Sequence, residues 1–136
     1  MAVYLKFNSF SEAVAEKVHN LGSDQLRVAL TNTAPGAGNT VLANITQITY
    51  TNLSTRNITL TSSAQTSGTY RLILADLVLT STTGPTGPFR YIVIFNDTAT
   101  NDELIGYFDY GASVTLDGAD TFTVDFDNVN GLLTIA

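Results

Sequence analysis

Cysteine is absent from this chain, which excludes a disulfide framework and any thiolate metal site and leaves the redox compartment open. There is one histidine, and no serine lies in a Gly-x-Ser-x-Gly context, so a nucleophile has few partners with which to be activated. Charge is scarce: Asp, Glu, Lys and Arg make up 13% of the residues, about half the usual share. The basic residues are Lys6, Lys17, Arg27, Arg56, Arg71 and Arg90, scattered along a chain of net charge -6. Nucleic-acid binding needs clustered cations, so that partner is excluded. Long apolar runs are also missing. The first ten residues hold no signal-peptide core, and no later segment approaches the roughly 20 apolar residues of a membrane-spanning helix. Synthesis in the cytoplasm and no membrane partner are the expectation.

What remains is polar but weakly charged. The 136 residues are 44% hydrophobic, enough for one domain, 1–136, with one two-layer core. Thr, Ser and Asn supply most of the polarity. Strands of this composition are poorly guarded against edge pairing, so a homo-oligomer is expected, dimer or trimer. Asn-x-Ser/Thr triplets begin at Asn44, Asn52, Asn57 and Asn96. Without a secretory signal they follow from composition, and no glycan is expected.

One amphipathic helix is predicted inside 7–22, at about 9–21. Ser9 and Glu12 have capping-box spacing, Phe10, Val14, Val18 and Leu21 form one apolar stripe, and Gly22 supplies a stop. A short turn is predicted over 40–45. From about 25 onward the period is two. Leu26, Val28 and Leu30 alternate with Arg27, Ala29 and Thr31, and the pattern returns at Ile58 and Leu60, at Val114 and Leu116, and at Phe122, Val124 and Phe126. These strands read as having one wet face. Segments 70–79 and 89–95 are apolar on both faces and read as central strands, covered by a second sheet, the helix or a neighbouring subunit. Ala75-Asp76 is a candidate tight hairpin, Gly84 to Pro88 a break, 96–102 a polar loop, and Asp117-Gly118 and Asn130-Gly131 mark turns. Segment 31–57 is weakly patterned and reads as a surface excursion. About eight strands result, and the fold class expected is all-β: a jelly-roll-like antiparallel β-sandwich with one N-terminal helix.

No catalytic residue, metal ligand or cofactor is expected. His19 lacks the further ligands that zinc requires and reads as a partly covered helix residue. Asp117, Asp120, Asp125, Asp127 and Asn128 are oxygen donors of the kind Ca²⁺ takes, but the EF-hand spacing fails and carboxylates on wet faces and turns are ordinarily solvated. A glycosidase pair needs two acids flanking a cleft, and each Asp has a turn or surface explanation. The aromatic residues carry more. Tyr107 falls on one face of 103–111 with Phe108 and Tyr110 on the other, which suits core packing, a subunit contact or a carbohydrate platform. Phe89, Tyr91, Ile92, Ile94, Tyr107 and Tyr110 are the candidate interface residues.

A resemblance narrows this reading. Lys6-Phe7-Asn8-Ser9-Phe10, Glu16-Lys17-Val18-His19-Asn20-Leu21 and the run from Leu26 to Pro35 resemble the opening of a family of small virion proteins of tailed bacteriophages. Ser62-Ser63-Ala64-Gln65, Gly68-Thr69-Tyr70, Gly87-Pro88-Phe89-Arg90-Tyr91 and Asn96-Asp97-Thr98-Ala99 are similar to later segments of that family. So are Leu104-Ile105-Gly106, Asp109-Tyr110-Gly111, the 122–126 strand and Gly131-Leu132-Leu133. The resemblance implies a jelly-roll capsid cement or decoration protein that sits on the capsid surface of the virion as a symmetric oligomer, with the major capsid protein as partner. No catalytic residue comes with it. Two rivals stand beside it: a tail or fibre component that binds a host surface glycan, and a small cell-wall hydrolase.

Overall fold

Segments 25–31 and 89–95 pair with each other in the largest sheet of the molecule, 89–95 inside it and 25–31 at its edge. In the computed structural model, which describes residues 2–136, the elements are β1 (Tyr4–Lys6), α1 (Phe10–Ala15), β2 (Leu26–Thr31), a 3₁₀ turn (Leu42–Asn44), β3 (Leu60–Thr66), β4 (Thr69–Leu74), β5 (Leu77–Thr80), β6 (Thr86–Asn96), β7 (Leu104–Leu116), β8 (Thr121–Val124) and β9 (Leu133–Ile135). A four-stranded antiparallel sheet has the order β1-β7-β6-β2. Its register sets Val28 opposite Ile94, Ala29 opposite Val93, Ile92 opposite Phe108 and Leu5 opposite Tyr107. The opposing layer is divided into a three-stranded sheet, β3-β4-β9, and a two-stranded one, β5-β8. The molecule is therefore an all-β sandwich; where a jelly roll has a second sheet of four, this chain has three strands plus two.

The main core lies between the layers. Val28, Leu30, Ile92, Ile94 and Phe108 of the large sheet meet Leu72, Leu74, Leu79, Val124 and Phe126 from the other layer, and Phe10 and Leu21 close one end. A second, smaller core lies on the outer face of the large sheet, where Ala29, Val93, Phe95 and Leu104 are covered by Phe7, Ile45 and Leu42. Here the expectation for β2 is corrected. Ala29 and Thr31 do not face water: both are fully buried, because chain from outside the sheet covers their face. The cover comes from β1's end and from segment 31–57, which is less an excursion than a wrap around the sheet edge.

That wrap also satisfies the backbone of the edge strand β2. Val28 N–H donates to the Arg56 carbonyl at 3.0 Å, and Ile48 and Ile58 donate back to Leu30 and Leu26 at 3.0 and 2.9 Å. The Arg56 guanidinium donates to the Val28 carbonyl at 2.7 Å and lies 3.7 Å above the Tyr50 ring. Tyr50 in turn accepts the buried Leu30 N–H at 2.9 Å and donates to Gln47 at 2.8 Å. An exposed edge is thereby closed to other chains. Tyr50→Phe is expected to cost about 1–3 kcal/mol, since it orphans a buried N–H; a urea titration checks this as a lower midpoint at unchanged slope.

Other expectations change with the fold. The helix runs over Phe10–Ala15 and not 9–21. Ser9 has helical dihedrals, φ -70° and ψ -13°, and makes no side-chain cap bond, so the capping box does not form. Beyond the C-cap Glu16 the helix is stopped by Lys17, whose φ of 66° is left-handed, while Val18 N–H reaches the Ala13 carbonyl at 2.8 Å and Lys17 N–H the Val14 carbonyl at 3.3 Å. This is a Schellman turn with lysine in the place where glycine is usual. Phe10 and Val14 pack on the core, but Val18 and Leu21 lie past the helix. Segment 70–79 is two strands, and Ala75-Asp76 closes no hairpin: β4 pairs with β3 and β9, whereas β5 pairs with β8. Nor is that segment covered on both faces, as Val78 is 52% exposed. The break at 84–88 is shorter than expected, because β6 begins at Thr86 and carries Gly87 and Pro88 in an irregular stretch of register. Nine strands form among the described residues, against about eight expected, and the three-residue β1 is the one the sequence did not suggest.

Candidate interaction surface

The second core covers half of the large sheet's outer face. Beyond Val93, Thr31 of β2 is still covered, but toward β7 and β1 the same face is open. Tyr107 and Tyr91 stand there half-buried, ring centroids 6.5 Å apart and edge to face, with Phe7 5.2 Å from Tyr107 at the covered boundary. Leu5 lies directly across from Tyr107, and Asp109 across from Tyr91. Arg90 holds Asp109 through a fork, Nε to Oδ1 at 2.8 Å and Nη2 to Oδ2 at 3.1 Å, and its guanidinium lies 5.3 Å from the Tyr91 ring. The guanidinium, helped by Gly111 N–H, holds the Asp109 carboxyl below the usual carboxylate range. Its charge is thus neutralised within the protomer, and the tyrosine row beside it presents an internally paired surface.

A shallow groove continues from this row around the β1 edge, lined by Ala2, Val3, Leu5, Asp109 and Tyr110. Val3 is 73% exposed, Tyr110 52% and Leu5 42%. Tyr110 is steadied from behind by Phe122, at 5.0 Å, which itself rests on Phe89 at 5.2 Å. β1 is anchored by Tyr4, whose ring lies against Gly106 and 5.9 Å from Phe108. A side chain at position 106 would collide with that ring, so glycine there is what allows β1 to dock. β1 ends the sheet, and its outer edge pairs with no strand among the described residues. Lysine is a common guard of such edges, yet Lys6 folds back and donates to Ser11 Oγ at 2.7 Å. The result is an unpaired strand edge flanked by uncharged, apolar side chains.

The sequence candidates divide accordingly. Phe89, Ile92 and Ile94 are 0–2% exposed and belong to the protomer's own core, so they are corrected from interface to packing residues. Tyr91, Tyr107 and Tyr110 do reach the surface and fall together around the open end of the sheet. Val3 and Leu5 were not among the candidates. Their signal was the alternation Val3, Leu5, Phe7 against Tyr4, Lys6, Asn8, too short to stand as a strand by itself.

His19 also sits elsewhere than expected. It follows the helix, is 6% exposed and stacks on Phe10 with ring centroids 5.5 Å apart. Its Nδ1 lies 3.0 Å from Asn96 Nδ2, 77 residues away, and its buried Nε2 has no partner among the described residues. The C-terminal acids are occupied in their own turns. Asp127 accepts from the Asn130 backbone at 2.9 Å and side chain at 3.0 Å, Asp125 accepts Asp127 N–H at 2.8 Å, and Asp120 accepts Asp117 N–H at 2.9 Å. The bonds from Asn130 hold the Asp127 carboxyl below its ordinary range. Among the described residues, no three His, Asp or Glu side chains are grouped so as to hold a metal ion. Of the triplet asparagines, Asn96 is fully buried and its amide is consumed within the fold. No family model, no curated protein and no solved structure matches this chain.

Proposed function

We propose that this protein is a structural assembly module that associates with copies of itself through the open end of its large sheet and serves as a capsid decoration protein. The observation that carries this reading is the juxtaposition of Val3, Leu5 and Tyr110, all well exposed, with the half-buried Tyr91 and Tyr107 at an unpaired strand edge. Apolar side chains contiguous with free backbone donors and acceptors gain most from being covered by another β edge. The sequence resemblance to small phage virion proteins supplies the shell as the larger partner. In that role the action is mechanical: each copy bridges capsid subunits and adds contact area that has to be removed before the shell opens, which stabilises the closed form by mass action.

Native mass spectrometry at micromolar concentration tests the self-association, with a dimer or trimer expected. Leu5→Lys is expected to shift it to monomer, by roughly tenfold or more in dissociation constant, while far-UV circular dichroism stays unchanged. Co-sedimentation with phage heads tests the shell. A wild-type monomer that ignores heads would overturn the proposal. The tail or fibre reading draws on one feature, the exposed Tyr110 within 103–111, and predicts that the isolated protein binds host surface glycans and that Tyr110→Ala abolishes the binding.

A further inference from the structure

Three stretches of chain meet at one buried corner: the linker after α1, the end of β6 and the loop that follows it. Asn96 is fully buried at the junction. Its Oδ1 accepts two backbone donors, Thr98 N–H at 3.0 Å and Ala99 N–H at 3.2 Å. Those two donors assign the oxygen, so the amide nitrogen faces the other way, donating to Asp24 Oδ2 at 2.7 Å and to His19 Nδ1 at 3.0 Å. Asp24 Oδ2 also accepts Asn20 N–H at 2.8 Å. The loop is held from its other side by Gln25, whose N–H donates to Thr98 Oγ1 at 2.8 Å and whose carbonyl accepts Asp97 N–H at 2.9 Å. Every member of this chain of bonds has one allowed direction, and it requires His19 Nδ1 to be an acceptor.

We propose that His19 is a proton-operated latch: a second proton on its ring, placed at Nδ1, disconnects the α1–β2 linker from the β6–β7 loop. With a hydrogen on Nδ1, the ring and the Asn96 amide present donors to each other. Relief has two routes. Turning the Asn96 amide gives the ring its oxygen but releases Thr98 and Ala99. Turning Asp24 toward the ring releases Asn20, Asn96 or both. Either route breaks the corner, and Nε2–H offers no compensation, being buried without a partner among the described residues.

The charged groups acting on the ring are Asp24 in the linker and Glu103 immediately before β7, both of which favour the imidazolium. From α1 the ring meets the uncharged Phe10, from β6 the neutral Asn96, and Lys17 lines the groove beside it. Burial outweighs the two carboxylates and holds the His19 pKa below its ordinary value. The sign follows. With the folded pKa depressed, the stabilisation is complete above the unfolded value, about 6.5, and is lost as the pH falls through the folded one. The latch is therefore closed at neutral pH and opens in acid, below the ordinary histidine range.

The test is hydrogen exchange on the full chain from about pH 7.5 down to the lowest pH at which the sheet stays folded, corrected for intrinsic exchange, together with NMR titration of the imidazole. Protection at Asn20, Thr98 and Ala99 is expected to fall several-fold in step with the ring's titration, while amides in the centre of β6 and β7 hold theirs. In His19→Gln, whose side-chain oxygen still accepts from Asn96, that pH dependence is expected to vanish. Equal loss of protection in wild type and His19→Gln overturns the proposal. An imidazole that titrates at its ordinary value without any loss of protection also overturns it, and this second reading decides the matter should the variant fail to fold.

Discussion

Phe7→Ala is expected to destabilise the fold by about 3–5 kcal/mol, the range for deleting a buried phenylalanine. Phe7 is fully buried, although it lies in the short stretch between β1 and α1. Its N–H donates to the Ile105 carbonyl at 3.2 Å, which extends β1's pairing by one residue, and its ring closes the outer face of the large sheet over Ala29, Val93 and Phe95. Removing the ring leaves a cavity against a rigid sheet that cannot collapse into it. Domains of this size are stable by about 5–15 kcal/mol, so the loss is a large fraction of the total. The measurement is a urea melt beside Val129→Ala, a control at a 73% exposed site that is expected to stay within about 0.5 kcal/mol of wild type. A Phe7→Ala midpoint no lower than the control's would mean that the second core contributes little.

Asn96→Leu is expected to cost about 3 kcal/mol, in spite of the similar size and greater hydrophobicity of leucine. The amide serves four partners, Thr98 and Ala99 through its oxygen and Asp24 and His19 through its nitrogen. Leucine answers none of them, and a buried or half-buried polar group left without a partner costs about 1–3 kcal/mol. The backbone pairing at this position, Asn96 N–H to the Glu103 carbonyl at 3.0 Å, does not depend on the side chain. Urea titration gives the loss, and exchange at Thr98 and Ala99 locates it. A variant as stable as wild type would show that water replaces the amide and that the corner is not structurally demanding.

The strand pattern was readable because a period of two is a local property. Phe122, Val124 and Phe126 alternate with residues that do face solvent, and the turns at 117–118 and 130–131 fall where their residue types predict. The helix was overextended for the same reason. Val14, Val18 and Leu21 fit the helical spacing, but nothing in that spacing records that Lys17 adopts a left-handed turn and sends the chain toward Asn96. Likewise Ser9 and Glu12 have the right separation for a capping box, yet Ser9 is already helical and its side chain makes no cap bond.

The candidate surface was half legible. Tyr107 and Tyr110 were picked out by residue type and Tyr91 by its doubly apolar segment, and all three reach the surface near the open sheet end. Phe89, Ile92 and Ile94 were picked out, like Tyr91, because segment 89–95 is apolar on both faces, and they are buried in the protomer. Hydrophobic burial is non-directional and scales with area removed from water, so an apolar residue carries no mark of whether its own chain or another covers it. Val3 and Leu5 were passed over because a strand of three residues has too few alternations to stand out.

By itself, then, the order of residues determined the class of structure: alternation, turn chemistry and scarce charge leave an antiparallel sandwich as the way to bury this much apolar surface. Only the tertiary arrangement decided which faces are wet and which side chains meet. Segment 31–57 has no period, yet it closes the β2 edge and half of the outer face; His19 and Asn96 are 77 residues apart, yet share one hydrogen bond. Periodicity reports a neighbour two or four residues away along the chain, whereas cover and hydrogen-bond partners come from wherever the chain returns in space.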